Sequence, residues 1–227
     1  TKDEFISMAS HQLRTPLTSI KGYVSMVLEG DAGAITPDQR HLLQEAFTSS
    51  ERMVHLIHDF LNVSRLQNGK FMLDTHPCDI VALVKSEVAS LQASAKNRQL
   101  KLVCKTKLRR TMLSIDETKI RQVVMNFIDN ALYYSRPKST ITVTLEMKGA
   151  AIELRVIDTG IGVPKSEQRQ LFSKFFRATN ARKQRPDGTG VGLYLAKKVV
   201  DAHKGKIIFK SAEGAGSTFG FVLPIAD

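Results

Sequence analysis

The 227-residue sequence predicts an α+β chain in which an N-terminal helical hairpin precedes an α/β sandwich. Three observations predict it. Apolar residues recur at heptad spacing through the first third of the chain, the periodicity changes after Gly69 to helices mixed with alternating strands, and two glycine-rich loops follow in the second part.

In the first helix, Ile6, Ala9, Leu13, Pro16, Ile20, Tyr23 and Val27 step by three and four residues, which keeps them on one face. The run Gly30-Asp31-Ala32-Gly33 turns the chain. A second seam begins at Thr36-Pro37, passes through Leu42, Ala46, Ser49, Met53, Leu56, Phe60 and Val63, and stops near Asn68-Gly69. Two such helices cannot cover their own seam on both sides, so a second copy is expected to complete a dimeric four-helix bundle. The hairpin occupies residues 1–68, residues 69–77 form a linker, and residues 78–227 form the second domain.

In that domain an amphipathic helix is expected over residues 79–96, with strands over 100–107 and 112–115. Asp116 caps a helix that runs to about Tyr134. Residues 140–147 and 152–157 alternate with period two around Lys148-Gly149-Ala150, the pattern of a hairpin. Residues 206–211 and 217–223 flank the turn Glu213-Gly214-Ala215-Gly216. The expected product is a mixed sheet with helices on one side.

The glycine loops read together as a nucleotide pocket. Val156-Ile157-Asp158-Thr159-Gly160-Ile161-Gly162 ends a strand in a carboxylate, which can accept from an exocyclic amine while Gly160 and Gly162 let a flat base approach. Gly188-Thr189-Gly190-Val191-Gly192-Leu193 opens a helix whose first N–H groups suit phosphate. Asn126 and Asn130 lie four apart on one edge of an apolar helix stripe, and an amide oxygen with substrate phosphates suits Mg2+. Residues 178–187 are polar and basic and read as a lid, with Arg177, Arg182, Lys183 and Arg185 as candidate phosphate cations. On the first helix, His11 falls on the outer face with Thr15 one turn on, and a neutral imidazole there is a competent nucleophile. Pro16 removes a helix hydrogen bond nearby.

The balance of 33 Lys and Arg against 22 Asp and Glu gives +11. The cations are scattered, the densest stretch, residues 96–110, lacks interleaved aromatics, and no helix-turn-helix or finger spacing is present, so nucleic acid is not an expected partner. Cys78 and Cys104 have no CxxC spacing and fit a reducing, cytoplasmic compartment. No run reaches the roughly 20 apolar residues of a membrane span, so no membrane contact is expected in this stretch. The chain starts at Thr1 without a methionine, which points to a piece of a longer protein whose remainder has room for a membrane anchor. His55 and His58 lack a third ligand, so a metal site there is not expected.

Assembled in order, these motifs make the chain resemble the catalytic core of a sensor histidine kinase along essentially its whole length. Ser10-His11-Gln12-Leu13-Arg14-Thr15-Pro16 resembles the H-box, residues 126–135 the N-box, Asp158 to Gly162 the G1 box, Leu171-Phe172-Ser173-Lys174-Phe175-Phe176-Arg177 the F-box and Gly188 to Leu193 the G2 box. The resemblance implies a dimeric phosphoacceptor hairpin followed by a Bergerat-type ATP-binding sandwich. It implies that His11 accepts the γ-phosphoryl group of ATP, Asn130 binds Mg2+, and Asp158 holds adenine. Asn126, Tyr134, Gly160, Gly162, Lys174, Arg177, Gly188, Thr189, Gly190, Val191, Gly192 and Leu193 complete the implied nucleotide site. The phosphoryl group would pass to an aspartate of a response-regulator receiver domain, and Thr15 stands where relatives place a residue that aids the reverse, phosphatase reaction.

Two positions depart from the family pattern. Gln12 replaces the acidic residue that usually follows the histidine, and an amide accepts a hydrogen bond but takes no proton. Tyr133 replaces a lysine of the N-box, so a lid or F-box cation is expected to supply the missing phosphate contact. Two other readings stand beside the kinase: an ATPase of the same pocket superfamily, which would need a water-activating glutamate where this chain has Asn126, and an ATP-sensing dimeric scaffold that Gln12 and Tyr133 would favour.

Overall fold

The computed structural model describes the backbone of residues 2–67, 71–186 and 188–225; for residues 2–14, 52, 55, 56 and 58–67 it describes the helical backbone alone. The chain forms two compact units, Thr1–Met72 and Leu73–Asp227.

The first unit is a hairpin of α1 (Lys2–Glu29) and α2 (Pro37–Gln67). Helix α1 runs on through Pro16. Gly30 and Gly33 turn the chain at φ values of +97° and +100°, where a side chain would be strained. Thr36 and Gln39 then close a reciprocal cap: Gln39 N donates to Thr36 Oγ1 at 3.2 Å, and Thr36 N donates to Gln39 Oε1 at 2.9 Å. Lys21 ties the helices by donating to Glu51 Oε1 at 2.6 Å while lying over the Phe47 ring, and Arg40 Nη1 donates to Leu28 O at 3.0 Å. The seam residues Ile20, Tyr23, Leu42 and Met53 stay exposed, at 48%, 70%, 68% and 49%.

The second unit has a mixed five-stranded sheet in the order β2-β4-β5-β7-β6, made of β2 (Lys101–Thr106), β4 (Thr140–Met147), β5 (Ala151–Ile157), β6 (Lys206–Ala212) and β7 (Gly216–Pro224). Only β2 and β4 run parallel. Alternation puts Ile141, Val143, Leu145, Ile152, Leu154, Val156, Phe219, Phe221 and Leu223 on one buried face. Helices α3 (Ile80–Ser90), α5 (Glu117–Tyr134) and α7 (Gly192–Ala202) cover that face with Ile80, Ile120, Phe127, Ile128 and Val200. Phe127 stacks on Phe219 at 6.0 Å between ring centroids.

Two elements differ from the sequence expectation. Residues 79–96 form α3 and α4 (Gln92–Asn97) rather than one helix: Leu91 N still closes α3 on Glu87 O at 3.2 Å, but Leu91 itself turns to φ −93° and ψ 1°, outside the helical range, and the helix restarts at Gln92. Strand β1 (His76–Asp79) begins within the segment read as linker and pairs antiparallel with β3 (Met112–Ile115). Pro77 and the lack of alternation hide it, since a proline fits a strand only where its missing N–H is not required.

Caps fix the entries of α3 and α5. Asp79 Oδ1 accepts from Val81 N and Thr111 N, and the Thr111 bond leads in holding that carboxyl below its usual range. Asp116 accepts from Lys119 N and Asp74 N and pairs with the Lys119 ammonium; burial pushes its carboxyl up, but these bonds prevail and hold it down. Behind this cap, buried His203 accepts from Asp116 N on Nε2 at 3.0 Å and meets Val199 O with Nδ1 at 2.8 Å. The two contacts fix the neutral tautomer with the proton on Nδ1.

Burial leads in lowering the His203 pKa from 6.5, against the pull of Val199 O and Asp116, and Lys119 lowers it further. The unfolded chain therefore binds this proton more readily, so stability is complete above about pH 6.5 and falls as pH drops below it. Urea unfolding from pH 7.5 to 5.5 is expected to show a loss of up to about 1.4 kcal/mol per pH unit from this residue. In His203→Gln the slope flattens; an unchanged slope refutes the assignment.

Candidate functional site

Asp158 leaves the end of β5 and is buried, 7% exposed. Its Oδ1 accepts from Gly160 N at 2.8 Å and from Ser217 N at 3.1 Å, and no other described residue donates to the carboxylate. Burial pushes the carboxyl up, and the two N–H bonds pull it part of the way back. One oxygen is thus fixed by the main chain and the other is open to a ligand's donor. Sequence reasoning missed Ser217, since only the register of β5 on β7 brings residue 217 beside residue 158.

Glycine is required where these strands and turns touch. A Cβ at Gly160 would lie 2.3 Å from Tyr134 O, and one at Gly162, whose φ is +62°, would lie 1.9 Å from Ala212 O. A Cβ at Gly216 would stand 2.1 Å from Asp158 O. The G1 loop is also bonded to its neighbours: Ile161 N donates to Tyr134 O at 3.2 Å, Gly214 N to Ile161 O at 2.7 Å and Val163 N to Ser211 Oγ at 2.9 Å. Gln168 Nε2 bridges Val163 O and Ser211 O, both at 3.0 Å.

Asn126 and Asn130 face each other on α5, Asn130 Nδ2 donating to Asn126 Oδ1 at 3.4 Å. Asn126 Nδ2 is buried without a hydrogen-bond partner. Gly192, the first residue of α7, abuts this pair so closely that a Cβ would lie 2.5 Å from Asn126 Oδ1. Helix α7 begins after Val191 with no side-chain cap, and Thr189 Oγ1 accepts from Val191 N at 3.2 Å. Its first-turn N–H groups are therefore available to an anion. The half-buried Leu193 follows in that turn.

The F-box packs against the G2 loop. Phe172 packs edge-on against Phe209 at 5.7 Å, and Lys174 Nζ lies over the Phe175 ring. Phe175 takes a left-handed φ of 62°, and a Cβ at Gly190 (φ +70°) would lie 2.8 Å from the Phe175 carbonyl carbon. A Cβ at Gly188 would likewise lie 2.9 Å from Arg177 Cζ. Arg177 itself points to the lid: it donates to Pro186 O at 2.9 Å, Ala181 O at 3.3 Å and Arg185 O. The lid contains a short helix, α6 (Thr179–Gln184), tied by Asn180 Nδ2 to Gly162 O at 2.9 Å and by Thr179 to the Glu167 carboxylate. Asn180 and Glu167 escaped sequence reasoning because single polar residues in loops carry no periodic signal.

The structure thus gathers Asn126, Asn130, Tyr134, Asp158, Gly160, Gly162, Lys174, Arg177, Gly188, Thr189, Gly190, Val191, Gly192 and Leu193 in the second unit. Thr15 is exposed on α1 in the first. His11 and Gln12 lie on the α1 backbone with side chains outside the described residues, and Asp187 also lies outside them. Among the described residues no group of three or more His, Cys, Asp or Glu side chains gathers to hold a metal, and no helix is long and apolar enough to cross a membrane. Cys78 and Cys104 are free, half-buried thiols that burial pushes up in pKa.

Comparison with protein families decides the class. The His Kinase A (phospho-acceptor) domain matches residues 1–69, and the histidine kinase-, DNA gyrase B- and HSP90-like ATPase family matches residues 115–227. The chain belongs to the histidine kinase family. Among curated relatives, the circadian input-output histidine kinase CikA of Synechococcus elongatus is 35% identical over 98% of this chain and 30% of its own length. The sensor histidine kinase WalK of Bacillus subtilis is 32% identical over 97% of this chain and 36% of its own length. The chain therefore spans about a third of these histidine kinases. Among solved structures, full-length ShkA in complex with AMPPNP has the same fold, with a TM-score of 0.80, 24% identity and coverage of 98% of this chain and 46% of that one. The mycobacterial sensor histidine kinase MprB superposes with a TM-score of 0.58 at 26% identity, covering 66% of this chain and 97% of that one. The family model over residues 115–227 supports ATP as the nucleotide of the second unit.

Proposed function

We propose that this chain is the catalytic core of a sensor kinase that phosphorylates its own His11 from ATP and passes the phosphoryl group to an aspartate of a response-regulator receiver domain. The observation that carries the reading is the buried Asp158 carboxylate, held by main-chain N–H groups on one oxygen and open on the other. That arrangement suits an exocyclic amine of adenine. Gly160 and Gly162 let the base approach, while the uncapped start of α7 after Gly188, Thr189, Gly190 and Val191 faces the phosphates. Lys174 and Arg177 border the phosphate side, Arg177 through the lid carbonyls that it holds.

The amide pair fits Mg2+. Asn130 uses its Nδ2 toward Asn126, which leaves Asn130 Oδ1 as a hard oxygen donor, and the remaining ligands would be phosphate oxygens and water. The ion would neutralise charge on the phosphates. For transfer, a His11 ring nitrogen attacks the γ-phosphorus, a P–N bond forms, the bond to the bridging oxygen breaks, and ADP leaves with its electron pair. The imidazole proton goes to water. Asn126 cannot deprotonate a water, so this cleft favours transfer over hydrolysis. In the second step the P–N bond breaks as the regulator's carboxylate oxygen bonds to phosphorus. Thr15, exposed one turn after His11, would aid the phosphatase reaction. The exposed seam of α1 and α2 is the dimer surface, and the regulator would dock on the completed bundle. The chain would act as the cytoplasmic part of the longer sensor.

Incubation of the purified chain with Mg2+ and γ-labelled ATP tests the reading. The expected product is protein-bound label that is lost in acid and kept in alkali. Free phosphate without bound label would identify an ATPase, and binding without either would identify a scaffold; both outcomes refute the proposal. Restoring an acidic residue with Gln12→Glu supplies the missing proton acceptor and is expected to raise the labelling rate about tenfold or more. An unchanged rate would show that proton removal does not limit the step.

A further inference from the structure

Tyr133 is the residue where the N-box departs from the resemblance, and the structure gives it a partner set of its own. The guanidinium of Arg185, from the lid, lies 4.6 Å from the Tyr133 ring centroid, and that of Arg98 lies 4.7 Å from it. Gln184 Nε2 adds a bond to Tyr133 O at 3.1 Å. Tyr134 meets the same ring edge-on at 5.5 Å. Asn126, Asn130 and Tyr133 fall at i, i+4 and i+7 of α5, so they share one face of the helix. The ring that holds Arg185 therefore stands one turn beyond the amide pair.

Three other cations of the F-box and lid have contacts of their own. Arg177 is directed at lid carbonyls, Arg182 Nε donates to Arg177 O at 3.1 Å, and Lys174 lies over Phe175. We propose that Tyr133 is a positioning residue, an aromatic latch that seats Arg185 and with it the lid segment over α5, delivering a guanidinium beside the amide pair for the phosphates of the nucleotide. This rests on the reading of the cleft as a nucleotide site. A lid already seated loses less conformational freedom when nucleotide binds, so the latch raises affinity through preorganisation as well as charge. Guanidinium on an aromatic face suits tyrosine and phenylalanine alike, whereas a small side chain offers nothing to stack on.

Limited trypsin digestion without nucleotide reads the latch directly, because the lid carries cleavable bonds after Arg182 and Lys183. In Tyr133→Ala, cleavage at these two bonds is expected to quicken about tenfold and ATP affinity to fall about five- to tenfold. Tyr133→Phe is expected to restore both to wild-type values, since the ring face and not the hydroxyl does the holding. Arg185→Gln, which leaves α5 untouched, is expected to loosen the lid as Tyr133→Ala does, and the double variant to be no looser than either single one. Lid cleavage in Tyr133→Ala and Arg185→Gln at the wild-type rate, additive effects in the double variant, or loosening by Tyr133→Phe equal to that of Tyr133→Ala would each overturn the latch. A wild-type chain that binds no nucleotide would instead overturn the site reading and the delivery of Arg185 to phosphate, while the protease pattern still decides whether the ring holds the lid.

Discussion

Replacing His11 with Gln is expected to remove phosphate labelling altogether, a loss of at least about 1,000-fold, while ATP affinity stays as in the unaltered chain. The two halves of that expectation come from different parts of the molecule. The proposed nucleotide site lies wholly within residues 73–227, at Asp158, the α5 amides and the start of α7, so a change on α1 is expected to remove none of its contacts. The proposed acceptor is a single ring nitrogen. A neutral imidazole carries a lone pair at cytoplasmic pH, whereas the nitrogen lone pair of a glutamine amide is delocalised into its carbonyl and does not attack phosphorus. Glutamine also favours the helix slightly more than histidine, so α1 should persist. Label retained in His11→Gln, with equal acid sensitivity, would mean that another histidine accepts the group. Lost ATP binding would mean that the change had reached beyond α1.

How much of this was legible in the sequence varies with the range of the interactions. The hairpin was readable because its seam repeats every three or four residues and its ends carry local signals, Gly30 and Gly33 in the turn and Thr36-Pro37 at the start of α2. The sheet was readable where one face is buried, as in the strict alternation of Ile141, Val143 and Leu145. Failures came where the residue pattern carries no mark of the local backbone. The chain breaks at Leu91 although the apolar spacing runs on, and β1 lacks any alternation around Pro77. The site divides in the same way. Asp158, the glycines and the amide pair stand out as motifs, but the Ser217 N–H that fixes the carboxylate arrives through the pairing of β5 with β7. Arg177 shows the converse: its place beside the G2 loop follows from the F-box, yet its direction toward the carbonyls of Ala181, Arg185 and Pro186 depends on how the lid folds.

Asp158→Asn is expected to weaken ATP binding by about 100-fold and to leave the unliganded protein at least as heat-stable as before. The reason lies in which oxygen the main chain holds. Gly160 N and Ser217 N both donate to Oδ1, so an asparagine at this position must place its carbonyl oxygen there and its NH2 where Oδ2 stood. That NH2 would then face the exocyclic amine of adenine, donor against donor. A base with a carbonyl at the same place, such as guanine, would find a partner instead, so the preference for ATP over GTP should shrink or invert. Stability moves the other way. Burial leads in raising the Asp158 pKa, so the ionised group favours unfolding: its contribution is most favourable below its ordinary pKa and is lost as pH rises through the folded value. A neutral amide removes that cost at pH 7 while keeping both main-chain bonds. Nucleotide titration and thermal unfolding of the two proteins check the expectation together. Tight ATP binding by Asp158→Asn would show that the base is held elsewhere, and a large fall in unfolding temperature would show that the carboxylate serves the fold before it serves a ligand.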